Sequence, residues 1–430
     1  MSRKKFIDDK LKAAKIEIGD KIKIETKKVT KEGVLMPHHQ FSDEGIITIK
    51  LSNGYNIGIS VDKDTEIKLL EKHKKEDIKK QRDIPFDKNK PMVSIIGTGG
   101  TIACYVDYRT GAVHPASSAK ELAFSVPEIF DICNVKTHVA FQILSENVEV
   151  HHWQKLAHEI ANELNSGAKG VIIPHGTDTL GYTGAALSFM LKNLTGPVIL
   201  VGAQRSSDRP SSDASLNLIA AATVASQTDI GEVITTMHSG ISDTVVEIHR
   251  GAKVRKLHTS RRDAFKTVND RPLGTVENGI VKITEKYYKK KSGKVIVDDK
   301  MEPDVAMLYS YPGLEPEDIP DKKGILLVGT GLGHVPKNII PRIKELTKKG
   351  TVFAMTSQCL FGRVNMSVYS TGRDLLKADI IPCEDMLPET AYVKLMWALA
   401  HGKKRDEIQK IMQENIAGEI SDRTRSDEFL

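Results

Sequence analysis

A chain of 430 residues exceeds one ordinary domain, and at roughly one domain per 150 residues it predicts two or three, each with room for a core. Its 40% hydrophobic and 27% charged residues exclude the composition of a disordered chain. The net charge of +6 resides in residues 1–90, where 22 basic groups face 16 acidic ones, and the rest of the chain is balanced.

The charged start has no apolar segment behind it, and no later run reaches about 18 apolar residues, so secretion and membrane insertion are disfavoured and a cytoplasmic chain is expected. Residues 15–70 hold short alternating apolar stretches such as Lys21-Ile22-Lys23-Ile24 and Tyr55-Asn56-Ile57-Gly58-Ile59. Ser52-Asn53-Gly54 between two of them is a hairpin signal, because Asn-Gly tolerates the positive φ of a tight turn. A small β-barrel-like domain or curled sheet is expected there, forming with its basic linker a first unit over 1–85. Within it, residues 33–40 read as a strand running into a loop, and the pair His38-His39 lacks a third ligand. The lysine-rich stretch 71–90, densest at Lys72, Lys74, Lys75, Lys79 and Lys80, reads as a solvated linker, with contact to a polyanion such as RNA as the alternative.

The texture then changes. Residues 92–96, 170–174, 197–201 and 232–236 are short buried strands, with helical segments at 152–166, 184–194 and 213–225. Strands alternating with helices imply a mostly parallel sheet covered on both faces, here a large α/β domain over 91–290. A polar stretch, 285–304, reads as a second linker. Strands at 324–329 and 351–355 and helices at 338–349 and 390–401 then make a smaller α/β domain over 304–430. Cys104, Cys133, Cys359 and Cys383 stand far apart with no CxxC pair and no histidine cluster at ligand spacing, so they read as reduced thiols and no metal site is expected.

In open α/β sheets ligands bind beyond the carboxyl ends of strands. Two loops there are unusual. Gly97-Thr98-Gly99-Gly100-Thr101-Ile102-Ala103 follows the first body strand, and its glycines permit close backbone approach while N–H groups stabilise an oxyanion beside the Thr101 hydroxyl. It lacks the P-loop lysine and the dinucleotide fingerprint, as does Gly329-Thr330-Gly331-Leu332-Gly333. The second loop, Pro174-His175-Gly176-Thr177-Asp178-Thr179, places a carboxylate beside a hydroxyl, which alone would read as a helix cap. A threonine nucleophile needs a neighbour to take its proton, and a lysine with a depressed pKa is able to do so. The lysines of residues 249–258 are the candidates.

These motifs resemble the L-asparaginase/glutaminase family. Gly99-Gly100-Thr101-Ile102-Ala103 is similar to its first threonine motif and His175-Gly176-Thr177-Asp178-Thr179 to its second. The family's lysine lies nine residues before a phenylalanine, which selects Lys256 ahead of Phe265, with Lys253 as the fallback. The resemblance implies an asparaginase-like two-domain α/β body in which Thr101 attacks the amide carbon and Thr177 is polarised by Lys256 and Asp178. It also implies substrate contacts at Ser145, Glu146, Gly100 and Gly176, with Glu146 departing from the usual neutral residue, and a homodimeric core. No role is assigned to Tyr105 or Tyr108 in the stretch that corresponds to the family's lid.

The small domain ahead of that body is similar to the archaeal-type, tRNA-dependent amidotransferase branch of the family, as are residues 106–113 and 258–265. That resemblance implies a glutaminase, acting on L-glutamine or L-asparagine, that sends ammonia to an E subunit which amidates glutamyl-tRNA(Gln). ATP and magnesium are then expected in the partner and no cofactor in this chain, with tRNA reached through the complex. A free-standing L-asparaginase/glutaminase is the alternative.

Overall fold

A computed structural model describes residues 3–36, 45–51, 56–72, 84–99, 104–106, 113–115, 119–205, 212–242 and 244–425. In the N-terminal part five antiparallel strands pair in the order Asn56–Ser60, Ile46–Lys50, Thr30–Leu35, Lys21–Glu25, Glu66–Glu71. Side chains alternate across a strand, so Ile22 and Ile24 face inward between lysines that face out. They join Leu35, Ile47, Ile49 and Ile59 in a core of their own. The expected small β domain is therefore present, and its ladder among the described residues is an open sheet. Ile46 pairs with Ser60 and Lys50 with Asn56, the pairing a hairpin requires; the turn Ser52-Asn53-Gly54, the pair His38-His39 and Lys74 to Lys80 lie outside the described residues. The charged start folds as helix Arg3–Ala13, which lays Phe6, Ile7 and Leu11 against the sheet.

The body is built on an eight-stranded sheet. Its order is Ile280–Ile283, Gly274–Glu277, Val245–Arg250, Val233–His238, Val198–Val201, Gly170–Pro174, Met92–Gly99, Asn134–Ile143. The last five run parallel, and the first three extend the sheet by antiparallel pairing. The central parallel strands Gly170–Pro174 and Val198–Val201 are apolar and fully buried because both faces are covered, whereas the edge strand Asn134–Ile143 carries exposed polar residues. Val171 and Ile173 enter one core with helices Val150–Asn165 and Leu180–Met190, while Ile172 enters the other with helix Ala214–Gln227. Helix Val150–Asn165 starts where Glu149 and His152 form a reciprocal capping box, and it buries Trp153, Leu156, Ala157, Ile160 and Leu164 along one stripe.

A second, four-stranded parallel sheet runs Val305–Tyr309, Gly324–Gly329, Val352–Ser357, Ile381–Pro382. Helix Pro388–His401 packs Leu395, Met396 and Trp397 into the same core as Phe189 and Met190, so the two lobes share one apolar interior. The stretch expected to be a loose linker between them is fastened: Ile296–Val297 pairs with Leu191–Lys192, and the Tyr287 hydroxyl donates to Asp229. Among the described residues no helix is long and apolar enough to cross a membrane.

Candidate active site

Met92–Gly99 and Gly170–Pro174 are neighbouring parallel strands, so their carboxyl ends open at the same edge. There the buried Thr98 hydroxyl donates to the Pro174 carbonyl at 2.7 Å. Gly99 has φ +97°, and a Cβ on it would stand 2.5 Å from the Ile143 carbonyl oxygen, so glycine alone fits where the chain leaves this strand. Gly100 and Thr101 follow directly and lie outside the described residues.

The second loop is held from beneath by His175. Its Nδ1 is 2.7 Å from the Gly176 carbonyl and its Nε2 3.0 Å from the Thr183 hydroxyl. The Trp153 indole donates to that hydroxyl at 3.0 Å, so the Thr183 O–H donates a hydrogen bond to Nε2 and the His175 proton sits on Nδ1, donating to the Gly176 carbonyl. Burial pushes His175 down to about 4, which keeps the ring neutral. It is therefore a fixed support for the loop.

Above it stand the residues that the motifs singled out. Thr177 is buried, and its methyl is seated against Gly202, where a Cβ would come within 2.8 Å of it. The Lys256 ammonium donates to Thr177 Oγ1 at 2.8 Å and to Asp178 Oδ1 at 2.8 Å. Ser145 is buried against Gly176, where a Cβ would stand 2.7 Å from the serine oxygen, and Thr179 donates its hydroxyl to the Ser145 carbonyl at 2.7 Å. Glu146 follows on the turn Ser145–Asn147 and is exposed. Thus Ser145, Gly176, Thr177, Asp178 and Lys256 come together at one strand edge, from segments far apart in sequence.

Lys256 arrives on the two-stranded ladder Val254–Lys256 with Phe265–Thr267, in which Lys256 faces Phe265. Helix Leu180–Met190, which begins just after Thr179, touches this segment through glycines: a Cβ on Gly181 would be 3.1 Å from the Val254 carbonyl, and one on Gly184 2.9 Å from that of Gly251. Lys253 points elsewhere, fully buried and donating to Asp385 at 2.6 Å. The support residues Thr98, His175, Thr179 and Thr183 were not singled out from the sequence, although three of them sit inside or beside the two motifs. A lysine bridging a hydroxyl and a carboxylate is suited to moving a proton at Thr177 Oγ1 while Asp178 balances its charge.

A two-lobed α/β body with a threonine–aspartate loop at the sheet edge and a lysine bridging the two side chains is the architecture of the asparaginase class of amidohydrolases. Residues 92–289 match the family model for the N-terminal part of asparaginase, residues 304–412 that for the glutaminase/asparaginase C-terminal domain, and residues 16–70 that for the GatD N-terminal domain. The chain is 52% identical to the glutamyl-tRNA(Gln) amidotransferase D subunit of Pyrococcus furiosus, over 99% of both chains. It is 47% identical to the protein of the same name from Saccharolobus solfataricus, over 98% of this chain and 96% of that one. Among solved structures it is similar to the thermostable L-asparaginase of Thermococcus kodakarensis, with TM-score 0.69 and 31% identity over 77% of this chain and 99% of that one. L-asparaginase I of Vibrio cholerae gives 0.67 and 28%, over 77% and 99%. The chain belongs to the family of glutamyl-tRNA(Gln) amidotransferase D subunits.

Proposed function

We propose that this chain is the glutaminase half of a tRNA-dependent amidotransferase. One observation carries the choice over a free-standing amidase: the asparaginase of Thermococcus kodakarensis is spanned almost whole by 77% of this chain, whereas the amidotransferase D subunits match 98–99% of it, N-terminal domain included.

Glutamine binds with its α-carboxylate at Ser145 and its α-ammonium at Asp178, with Glu146 adding a second carboxylate beside that end. The hydroxyl of Thr101 attacks the side-chain amide carbon. Backbone N–H groups of the glycine loop, Gly100 among them, hold the oxyanion. The C–N bond breaks, the nitrogen leaves as ammonia after gaining a proton, and water then hydrolyses the acyl-threonine to glutamate. Thr177, polarised by Lys256 and Asp178, manages protons at the attacking and leaving groups. Gly176 leaves room for Ser145 to approach from behind.

Ammonia passes to an E subunit, which converts Glu-tRNA(Gln) to Gln-tRNA(Gln). ATP and magnesium belong to that partner, and this chain's part ends at ammonia. The complex works in the cytoplasm, around a homodimer of this chain. The test is to assay glutamine and asparagine hydrolysis by the full chain, alone and with an E subunit, ATP, magnesium and Glu-tRNA(Gln). Stimulation by the partner and its charged tRNA is expected. Vigorous hydrolysis that neither of them alters would favour the free-standing amidase instead.

A further inference from the structure

The ladder strand that delivers Lys256 is gripped from its other face. Side chains alternate along a strand, so when Lys256 points to Thr177 and Asp178, Arg255 points away from them, and Lys253, in the turn just before the strand, also turns from the site. Both meet acids of the C-terminal lobe. Lys253 donates to Asp385 Oδ2 at 2.6 Å, and Arg255 pairs with Glu389 at 3.2 Å. The next residue of helix Pro388–His401, Thr390, donates its hydroxyl to the Ala252 carbonyl at 2.8 Å and is buried. Ala252, Lys253 and Arg255 of the lysine segment are therefore bound to one helix start and the loop just before it.

The Lys253–Asp385 pair is itself tied on every side. Lys253 also donates to the Ser421 hydroxyl at 2.8 Å, and Ser421 in turn donates to the Asn269 carbonyl at 2.7 Å. The Ser421 N–H donates to Asp385 Oδ1 at 3.0 Å, and the Asn269 side chain to the Asp385 carbonyl at 2.9 Å. Lys253 has no exposed surface. Burying a lysine is costly even when it is paired, and an apolar residue of similar volume such as methionine would fill the same space more cheaply. A charged pair adds direction, since it fixes where the strand stands along the helix start.

We propose that Lys253, Arg255, Asp385 and Glu389 are positioning residues for the reaction, a clamp through which the C-terminal lobe sets the place of the Lys256 ammonium. The inference rests on the catalytic role given to Lys256 above. None of the four touches substrate in this scheme. Their effect reaches the reaction through the Lys256 contacts to Thr177 and Asp178, where small displacements matter.

The experiment uses the full chain with its E subunit and measures glutamine hydrolysis across pH. Arg255→Gln and Glu389→Gln, whose pair is partly exposed, are expected to fold with melting temperatures near that of the unaltered protein. Each is expected to lower kcat about tenfold to a hundredfold, change KM far less and shift the acidic limb of the pH profile. The exchange Arg255→Glu with Glu389→Arg should recover much of kcat and return the limb. The joint replacement Lys253→Met with Asp385→Leu should keep the fold, as apolar substitutes for buried pairs do, while lowering kcat. Lys256→Met is the control. If it retains full activity, the catalytic reading of Lys256 fails. If it is inactive while the Arg255 and Glu389 variants keep kcat and the pH limb of the unaltered enzyme, the clamp is overturned.

Discussion

The Thr98 hydroxyl donates to the Pro174 carbonyl at 2.7 Å, so the segment leading to Thr101 and the loop holding Thr177 leave the sheet from a common fixed point. Both residues are last or nearly last in their strands, and Thr98 is buried. Thr98→Val keeps the shape and removes the donor, leaving a carbonyl without it. A loss of about 1–3 kcal/mol of stability is expected, read from denaturant unfolding, together with a fall in glutamine turnover. Unchanged turnover in a destabilised variant would mean that the tie serves the fold alone.

Lys256 and Thr177 should behave as one unit. Lys256→Met and Thr177→Val are each expected to lower kcat by about 10²–10⁴-fold, and the double variant little further, because both remove the same proton path. Lys256→Arg separates charge from proton transfer, since a guanidinium keeps its charge and does not release its proton. Activity near that of Lys256→Met in the arginine variant identifies proton transfer as the role; near-normal activity assigns Lys256 a purely electrostatic one. Asp178→Asn should raise KM for glutamine as well as lower kcat, a split that steady-state kinetics resolve.

Much of this site was legible because its chemistry is local. Thr177 and Asp178 are adjacent, and the spacing between Lys256 and Phe265 has a simple physical basis: they face each other across a two-stranded ladder. Four of the five parallel strands of the large sheet were legible for a similar reason, being short apolar runs between helices; the fifth, Asn134–Ile143, was missed because polar residues interrupt it at the sheet edge. What escaped depends on partners remote in sequence. The sequence left Lys253 and Lys256 as rivals, because the burial that separates them comes from Asp385, 132 positions away. The strands Val245–Arg250, Gly274–Glu277 and Ile280–Ile283 were missed because they are short and mixed in character, and the sheet edge they complete is set by pairing. Helix Arg3–Ala13 hides its narrow apolar stripe among charges.

His175 ties acid stability to the active-site loop. Its ordinary value of 6.5 is pushed down to about 4 by burial, so between these values the unfolded chain binds a proton that the folded chain refuses. Stability is therefore whole above about pH 6.5 and drains away as pH falls toward about 4. His249, fully buried and pushed down to about 3, adds to the same trend. In His175→Gln the slope of stability against pH in this window should fall by about one proton relative to the unaltered chain, as read from urea midpoints. Equal slopes would show that His175 titrates normally.

Within the basic N-terminal run, Lys72 has a defined partner. Its ammonium lies 3.0 Å from Asp20, whose side chain is almost wholly buried and also accepts the Glu17 N–H at 2.7 Å. Neutralising Lys72 should lower the melting temperature of the N-terminal domain; the RNA alternative for Lys74, Lys75, Lys79 and Lys80 is tested by neutralising those four together. If that set contacts RNA, its removal weakens tRNA binding and flattens the salt dependence; affinity unaltered across a salt series assigns it to a solvated linker.

The C-terminal lobe carries one more buried charge pair, and its removal should be felt far from it. Lys394 and Glu419 are both fully buried. Lys394 also donates to the Met412 carbonyl at 3.0 Å, and Glu419 accepts the N–H groups of Ile416 and Ala417, so the pair pins the segment after helix Arg405–Gln413. Burial holds Lys394 below the usual lysine range, with Glu419 working against that shift. Glu419→Gln leaves the ammonium without its counter-charge and should cost about 3–5 kcal/mol, while Lys394→Met with Glu419→Leu should cost much less, because no charge is then stranded. The same segment reaches Ser421, which holds Lys253, so Glu419→Gln should also lower kcat. A variant with that stability loss but unaltered kcat would show that the tail's hold on Lys253 survives without the pair.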